Sequence, residues 1–263
     1  MKNPVDTTSN IIRYEGGTAK AIQDTIVTEY PVTIQLDGEE FATMVCTPEN
    51  IEDMVIGFLA SEGVIREYSD IKEIWVQEDG FVNVETKKAN KLSQKFHSKR
   101  YITSCCGKSR QGFYFYNDAR TAKKITEVGI RLPIESCFRL MIDMQTEATT
   151  FHATGGVHNA ALCDEKGIIL SRMDIGRHNA LDKIYGYCLK NNISINGKVI
   201  AFSGRISSEI LLKVAKIGCE IVLSKSAPTE LALQLANDLG ITAVGFIRNS
   251  SCNIYTHPER IVT

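Results

Sequence analysis

Short apolar runs separated by turn residues dominate the first third of the chain. Asp-Gly dipeptides, which favour tight hairpin turns, lie between two pairs of these runs, at Asp37-Gly38 and Asp79-Gly80. The pattern therefore predicts a β-rich segment, with strands at 25–36, 41–46, 71–76 and 81–85.

A helix is predicted between the second and third of these strands, where apolar residues recur at helical spacing. Thr47 is the expected N-cap and Pro48 the first helical residue, because proline has its φ angle fixed near the helical value and lacks an N–H group that the first turn would leave unbonded. Gly63 is expected to end the helix after Glu62.

From residue 159 onward, strand and helix patterns alternate, which implies parallel strands joined by right-handed helical crossovers. The predicted strands are 159–164, 167–173, 198–202, 220–224 and 241–246, and the predicted helices are 179–190, 207–217 and 229–239. Helical patterns also cover 119–149, with a break at Leu132-Pro133. The sequence thus predicts an α/β protein with a smaller β-rich N-terminal domain, 1–118, and an α/β domain, 119–263.

The composition narrows the class of protein. The 263 residues are 43% apolar and 23% charged, with a net charge of −1, so a large core is expected and no broad basic surface is available for nucleic acid. The longest apolar stretches fall far short of the roughly 20 residues that cross a bilayer, and the first residues lack the pattern of a signal peptide. We therefore expect a cytoplasmic protein with neither nucleic acid nor membrane as partner.

An adjacent cysteine pair, Cys105-Cys106, is the strongest chemical feature. Lys108 and Arg110 follow closely, and nearby cations lower the pKa of a thiol and raise its thiolate fraction. Such a pair suits a carrier that accepts sulfur as a persulfide, although an incidental pair in a loop is the alternative. No second close cysteine pair at zinc-site spacing is present, so no metal site is expected. Five other cysteines have apolar neighbours and are predicted to be buried, namely Cys46, Cys137, Cys163, Cys188 and Cys219.

Polar segments follow several predicted strands of the second half. His178 is expected at a helix start, where backbone N–H groups favour anions, and Ser203 and Arg205 follow the strand 198–202. Lys225 and Arg248 occupy equivalent places after later strands, so the strand ends predict a site for a polyanionic ligand with phosphate groups. Ser207 has a helix N-cap as its alternative role. Neither a P-loop nor a Rossmann fingerprint is present.

Taken together, these segments resemble the FdhD/NarQ family of formate dehydrogenase accessory sulfurtransferases, from about Tyr14 to Ile261. The resemblance is carried by residues 28–31, 57–63, 104–108, 154–160, 174–180, 203–205, 224–229 and 255–258.

The resemblance implies a sulfur carrier that takes sulfur from a cysteine desulfurase as a cysteine persulfide. It further implies transfer of that sulfur to the molybdenum of bis-molybdopterin guanine dinucleotide on behalf of formate dehydrogenase, with guanine nucleotide as a mimic of the cofactor. A cytidine-deaminase-like α/β/α fold for the C-terminal domain and a homodimer are implied as well. The stretch of the family that contacts the cofactor corresponds to Phe246, Ile247, Arg248, Asn249, Ser250 and Ser251.

Two departures from the family's patterns matter for the chemistry. Many members carry Cys-x-x-Cys, whereas Cys105 and Cys106 are adjacent; Cys106 keeps the following Gly-Lys and is preferred as the persulfide carrier, with Cys105 as partner or alternative. The zinc signature of the deaminases is absent, because His158 is followed by Asn-Ala and not by x-Glu. The competing functions are a nucleotide- or cofactor-binding chaperone without sulfur transfer, and a thiol redox protein.

Overall fold

The described strands form two mixed sheets, of five and six strands, and two smaller two-stranded sheets. The protein is represented by a computed structural model that describes residues 3–87, 100–102, 122 and 124–263. The elements of the N-terminal half are β1 (Asp6–Glu15), β2 (Thr18–Val27), β3 (Tyr30–Leu36), β4 (Glu39–Cys46), helix α1 (Ile51–Ser61), β5 (Ile71–Val76), β6 (Phe81–Thr86) and β7 (Arg100–Ile102).

The N-terminal sheet contains, among the described residues, five strands in the order β5-β6-β3-β4-β7. The hairpin predicted at Asp37-Gly38 is confirmed, because Leu36 pairs with Glu39 across that turn, and β5 and β6 pair in antiparallel fashion as expected. The predicted strand 25–36 is wrong as a single element. It divides at Thr28-Glu29, and its first part belongs to β2, which forms a separate two-stranded hairpin with β1.

Helix α1 begins later than the sequence predicts. Its N-cap is Asn50, in a left-handed backbone conformation with φ of 53°, and the predicted start at Thr47 is wrong. The physical reason lies in the tertiary structure: the Thr47 hydroxyl donates to the Asp174 carboxylate and accepts from Lys183, so it is not available to cap a helix. The predicted end is accurate to one residue, because Glu62 is the C-cap.

The C-terminal sheet has the order β10-β9-β11-β12-β13-β14. Its strands β11, β12 and β13 are parallel, as predicted, whereas the other pairs are antiparallel. The elements here are β8 (Leu132–Pro133), α2 (Ile134–Thr146), α3 (Thr149–Thr154), β9 (His158–Asp164), β10 (Gly167–Asp174), α4 (Arg177–Lys190), β11 (Val199–Phe202), α5 (Ser208–Ile217), β12 (Ile221–Ser224), α6 (Glu230–Leu239), β13 (Thr242–Arg248), β14 (Ser251–Ile254) and β15 (Ile261–Val262).

Side chains on the two faces of the C-terminal sheet enter two different cores. Along β11, Ile200 and Phe202 lie in the core shared with α4, α5 and α6, whereas Val199 and Ala201 lie in the core shared with α2. This alternation is what the two-residue period of a strand buried on both faces requires. The predicted α/β fold is therefore confirmed as a three-layer α/β/α arrangement. The predicted domain boundary at 118/119 lies outside the described residues and stays a prediction.

The segment before β8 is not helical between residues 124 and 131, so that part of the helical prediction for 119–149 is wrong. Its backbone groups bond to distant elements instead: Ile125 donates to the Leu239 carbonyl, and Gly129 donates to the Glu220 carboxylate. Those bonds replace the backbone hydrogen bonds that a helix would have formed within the segment.

Helices α1 and α4 join the two halves of the protein by a direct contact of their backbones. A methyl carbon at Gly57 would overlap the Asp182 carbonyl and lie 2.8 Å from the Gly186 nitrogen, and one at Gly186 would overlap the Asp53 carbonyl in the same way. Only glycine has no Cβ atom, so both positions require it. The residues around Met54 and Leu59 on α1 pack into the core of the N-terminal sheet, which this contact attaches to the C-terminal half.

We predict that Gly57→Ala lowers the free energy of unfolding by about 3 kcal/mol, because the added methyl group forces two packed helices apart. Thermal or denaturant unfolding measures the change. Alanine is the better helix former by about 1 kcal/mol, so an uncrowded position would be stabilised instead. A Gly57→Ala protein more stable than the parent would therefore contradict the close contact.

Candidate functional site

The carboxyl ends of β10, β11, β12 and β13 meet at one edge of the C-terminal sheet, and β9 begins there. Asp174 at the end of β10 pairs with His158, and Phe202 at the end of β11 pairs with Ser224 at the end of β12. Helices α4, α5 and α6 all start at this edge, because each follows one of these strands. Their first turns present N–H groups that favour a negatively charged ligand. This edge is called the strand-end site below.

Hydrogen bonds link the loops of the strand-end site to one another. Ser203 and Asn159 exchange two bonds, from the Asn159 N–H to the Ser203 hydroxyl and from the Ser203 N–H to the Asn159 carbonyl, each 3.0 Å long. The Ser226 hydroxyl donates to the Ser203 carbonyl at 3.3 Å, and the Phe246 N–H donates to the Ser226 carbonyl at 3.2 Å. The structure therefore brings the predicted residues Ser203 and Phe246 into one connected set of loops.

His158 is the half-buried titratable group of this site. Burial lowers the pKa of its imidazole below the usual value, the Arg177 guanidinium lowers it further, and the Asp174 carboxylate opposes both effects. The Nε atom of Arg177 is buried and has no hydrogen-bond acceptor among the described residues. A neutral imidazole and a guanidinium with an unsatisfied donor are thus close to the start of α4, which suits an anionic ligand.

The predicted residue His178 lies in the first turn of α4, as expected. Its Nε2 atom is 3.4 Å from Glu209 Oε2 in the first turn of α5, so the two helix starts are in contact. Ser207 acts as the N-cap of α5, with its hydroxyl accepting the Ile210 N–H, which confirms the alternative role that the sequence allowed.

The predicted cationic residues of the strand ends are all exposed. Arg205 follows β11, and Lys225 follows β12 with its ammonium group donating to the Gln145 side chain at 3.1 Å. Arg248 lies at the end of β13, with its guanidinium carbon 5.9 Å from the centre of the Phe246 ring. These three side chains give the edge of the sheet a positive charge that stays exposed to solvent.

The predicted cofactor stretch is an irregular hairpin between β13 and β14. Phe246 and Asn249 have φ angles of 52° and 49°, and the pairing of the two strands is interrupted between Gly245 and Arg248. Phe246, Arg248, Asn249, Ser250 and Ser251 are exposed. Ile247 differs from them, because its side chain is 3% exposed and lies in the core beneath α2. The ligand-binding roles of these residues stay predictions.

Sequence reasoning gave no role to Asp174 and Lys183 and a different role to Thr47, and the structure places all three beneath the site. Asp174 and Lys183 form an ion pair of 2.7 Å with neither side chain exposed, and both bond to Thr47. The available signal was a pair of opposite charges nine residues apart, on either side of the helix start at Arg177. It identifies no partner by itself, because Thr47 is 127 residues away from Asp174 in the sequence.

The predicted reactive cysteines, Cys105 and Cys106, lie outside the described residues. The remaining six are free thiols, and the five predicted to be buried are buried: Cys46, Cys137, Cys163, Cys188 and Cys219. Burial raises the pKa of Cys46, Cys137 and Cys163 to about 12 and that of Cys188 to about 11, and it raises the pKa of Cys219 well above the usual value. Cys252 is half-buried, and burial raises its pKa as well.

Within the described part of the chain, no group of three or more histidine, cysteine, aspartate or glutamate side chains is placed to hold a metal ion. No helix in the same part is long and apolar enough to cross a membrane.

Comparison with known proteins gives consistent similarities. The family model described as the FdhD/NarQ family matches residues 27–262. Sulfur carrier protein FdhD of Bacillus subtilis is 56% identical over 262 residues, covering 99% of both chains, and that of Shouchella clausii is 54% identical, covering 99% of this chain and 98% of the relative. A crystal structure from Desulfotalea psychrophila, assigned as a formate dehydrogenase accessory protein, superposes with a TM-score of 0.81 at 25% identity, covering 98% of this chain and all of the other.

We predict that His158 titrates below the usual imidazole pKa of 6.5 and that Arg177→Gln raises its pKa, because the substitution removes a nearby positive charge. Since the neutral form is favoured in the folded state, the contribution of His158 to stability is present above pH 6.5 and is lost as the pH falls below it. NMR titration of the imidazole signals measures both values. A pKa above 6.5, or one that falls in Arg177→Gln, would show that the proposed environment is wrong.

Proposed function

The chain belongs to the FdhD/NarQ family, and from that membership we propose that it is a sulfur carrier that serves formate dehydrogenase. In this proposal a cysteine desulfurase supplies the sulfur, Cys106 or Cys105 holds it as a persulfide, and the sulfur passes to the molybdenum of bis-molybdopterin guanine dinucleotide. The names of the relatives support the carrier role and the link to formate dehydrogenase. A homodimer in the cytoplasm is proposed on the resemblance alone.

The burial of the other thiols is the observation that carries this proposal. The thiolate is the form that attacks sulfur, and a thiol with a pKa of about 12 is almost entirely protonated near neutral pH. Five of the six described cysteines are therefore unsuited to accept sulfur, and Cys252 is disfavoured by its partial burial. Cys105 and Cys106, next to Lys108 and Arg110 in the sequence, remain as the candidates.

Loading is a balanced exchange that needs no outside oxidant. The carrier thiolate attacks the terminal sulfur of the desulfurase persulfide, a new S–S bond forms, and the S–S bond of the donor breaks. The donor cysteine leaves as a thiolate, and the carrier holds the transferred sulfur as its own persulfide. Cations near the carrier cysteine favour this step because they stabilise the attacking thiolate.

The end of β7 lies on the side of the N-terminal sheet that connects to the strand-end site. Strand β7 runs parallel to β4, with Ile102 opposite Met44, and Cys105 follows Ile102 by three residues in the sequence. Immediately beyond β4, Thr47 bonds to Asp174 at the strand-end site. The described chain therefore leaves the N-terminal sheet at Ile102, on the side where β4 connects to the strand-end site.

The strand-end site fits a guanine dinucleotide in its donor chemistry. Phosphate groups need N–H donors and positive charge, and the site offers the first turns of α4, α5 and α6, the unsatisfied Nε of Arg177, and the exposed Arg205 and Arg248. The bound cofactor would supply the molybdenum that receives sulfur, and the residues of this chain would hold and orient its nucleotide groups.

A cofactor-binding chaperone without sulfur transfer is the second candidate. The same donor-rich edge favours it, because binding of the phosphates requires no thiol. The two functions differ in one measurable property, which is the appearance of sulfur on the protein.

We predict that incubation with a cysteine desulfurase and cysteine adds sulfur to the protein, and that Cys106→Ala prevents the addition because it removes the attacking thiolate. Intact mass and peptide mapping measure the adduct, and Cys105→Ala distinguishes the alternative carrier. Cys252→Ser is the control, because it removes the remaining thiol that is not fully buried among those described. Sulfur that persists when both Cys105 and Cys106 are replaced, or that is lost in Cys252→Ser, would refute the assignment.

We also predict that Arg248→Ala weakens binding of guanosine diphosphate about tenfold, the effect of losing one charge-assisted hydrogen bond to a phosphate. Calorimetry or fluorescence titration gives the Kd. The control is Arg13→Ala, which removes another exposed guanidinium, from β1, where Arg13 is paired with Asp24 at 3.5 Å. Equal affinities of Arg248→Ala and the parent protein would remove Arg248 from the site.

A further inference from the structure

The ribbon formed by β1 and β2 is exposed on both faces over its outer half. The two strands pair along ten residues each, and every residue from Ile12 to Ala21 is exposed, so this stretch is called the ribbon tip. Ile12 and Tyr14 are 68% and 74% exposed. A two-stranded ribbon without a core against it is at best marginally stable in water, so the tip needs a partner that covers it.

The two faces of the ribbon tip differ in chemistry. Residues directly opposite each other in β1 and β2 share a face. One face of the tip is apolar and consists of Ile12, Tyr14, Ala19 and Ala21. On the other face Arg13 lies opposite Lys20, and like charges in opposed positions of a strand pair repel each other. That face therefore favours contact with a negatively charged surface.

A cavity of about 700 Å³ opens between the two halves of the protein. It is lined by the N-terminal half on one side and by β10 and α4 on the other, and its apolar and aromatic residues are Tyr30, Pro48, Ile51, Val76 and Tyr187. Among its lining residues the carboxylates outnumber the cations, with Glu52, Asp53 and Glu78 against Arg172 and Lys190.

The cavity complements the ribbon tip in both respects. Its apolar and aromatic walls suit Ile12 and Tyr14, and its excess of carboxylates suits a tip in which Arg13 and Lys20 outnumber Glu15. A ribbon that enters a cavity contacts it with both faces, whereas a ribbon laid on a flat surface uses only one. The chemistry on both faces of the tip therefore favours insertion.

The base of the ribbon lies at the rim of the same cavity. Asn3, shortly before β1, and Tyr30, shortly after β2, both line it. None of the described residues that line the cavity belongs to the tip, and ten residues of strand extend about 33 Å. In a pair of copies related by a two-fold axis, each ribbon can leave the rim of its own cavity and reach the cavity of the other copy.

We propose that the β1–β2 ribbon is an exchanged arm, whose tip inserts into the cavity of a second copy of this chain. Ile12 and Tyr14 pack against the apolar wall, and Arg13 and Lys20 face the carboxylates. The proposal rests on the homodimer of the proposed function and supplies the contact that holds it together.

A second copy is favoured over an unrelated partner because both members of the contact are present on this one chain. Two-fold symmetry makes each dimer form the contact twice, since every copy offers one tip and one cavity. The side chains involved are also of the types that carry most of the binding energy at interfaces, with Tyr14 and Arg13 on the tip and Tyr30 and Tyr187 in the cavity.

The first measurement is the monomer–dimer equilibrium by sedimentation, under reducing conditions. We expect the parent protein to be a dimer and the double variant Ile12→Ser, Tyr14→Ser to raise the dimer Kd at least tenfold, because it removes the large side chains of the apolar face. The matched control is Ile142→Ser, which changes a 54% exposed isoleucine on α2 and should leave the Kd unchanged. Circular dichroism checks that each variant is folded.

The second measurement locates the tip in a protein that keeps its aromatic side chain. Tyr14 is replaced by the photoreactive benzoylphenylalanine, and dimers are assembled from equal amounts of ¹⁵N-labelled and unlabelled protein. Mass spectrometry then distinguishes crosslinks between copies from crosslinks within one copy. We expect crosslinks between copies to residues 48–53, 76–78 or 187–191, and none to these residues when Ile142 is replaced instead.

A monomeric parent protein would overturn the proposal, and so would an unchanged Kd in the double variant or crosslinks from position 14 to other places. A dimer without the expected crosslinks removes the arm but leaves the homodimer intact. Neither measurement uses sulfur or nucleotide, so a failure here is distinct from a failure of the sulfur-carrier function, which is decided by uptake of sulfur from the desulfurase.

Discussion

The approach of the backbones at Gly57 and Gly186 is the constraint on which the rest of the structure depends. At these positions α1 and α4 are so close that neither can carry a Cβ atom without overlapping a carbonyl group of the other helix. Tyr185, beside this contact on α4, packs against the core of each half. The two cores are therefore parts of one packed body, and the helix separation follows from the absence of two side chains.

Polar side chains along this contact fix how the two helices are aligned with each other. Ser61 at the end of α1 bonds to Asp182, and Glu52 in the first turn of α1 pairs with Lys190 in the last turn of α4 at 2.8 Å, so polar bridges occur at both ends of α1. Arg172 of β10 adds a third bridge, to Asp53 at 2.9 Å. Hydrogen bonds weaken steeply with small changes in distance and angle, whereas apolar contacts tolerate some sliding. The glycines thus fix how near the helices come, and the polar pairs fix how they are aligned.

Features that depend on neighbouring residues could be predicted from the sequence, and features that depend on distant partners could not. The turn at Asp37-Gly38 and the ends of the helices predicted at 207–217 and 229–239 follow from local backbone preferences, and the structure confirms them, with Gly218 and Gly240 as the C-caps. Thr47 looks like an N-cap by the same local rules, but a carboxylate far along the chain binds its hydroxyl. The hairpin of β1 and β2 escaped prediction because few of its side chains are buried, which leaves little hydrophobic alternation to detect.

The same distinction between local and distant determinants applies to the candidate site. Its position at the strand ends could be predicted, since parallel strands followed by helices place polar loops at one edge, but the buried support beneath it could not. For a sulfur carrier, the buried thiols are as informative as that edge. A thiol with a pKa of about 12 is ionised at pH 7 in on the order of one molecule in 100,000. Close packing of those cysteines therefore leaves sulfur exchange to thiols outside the cores, so the fold contributes to the chemistry by excluding the alternatives.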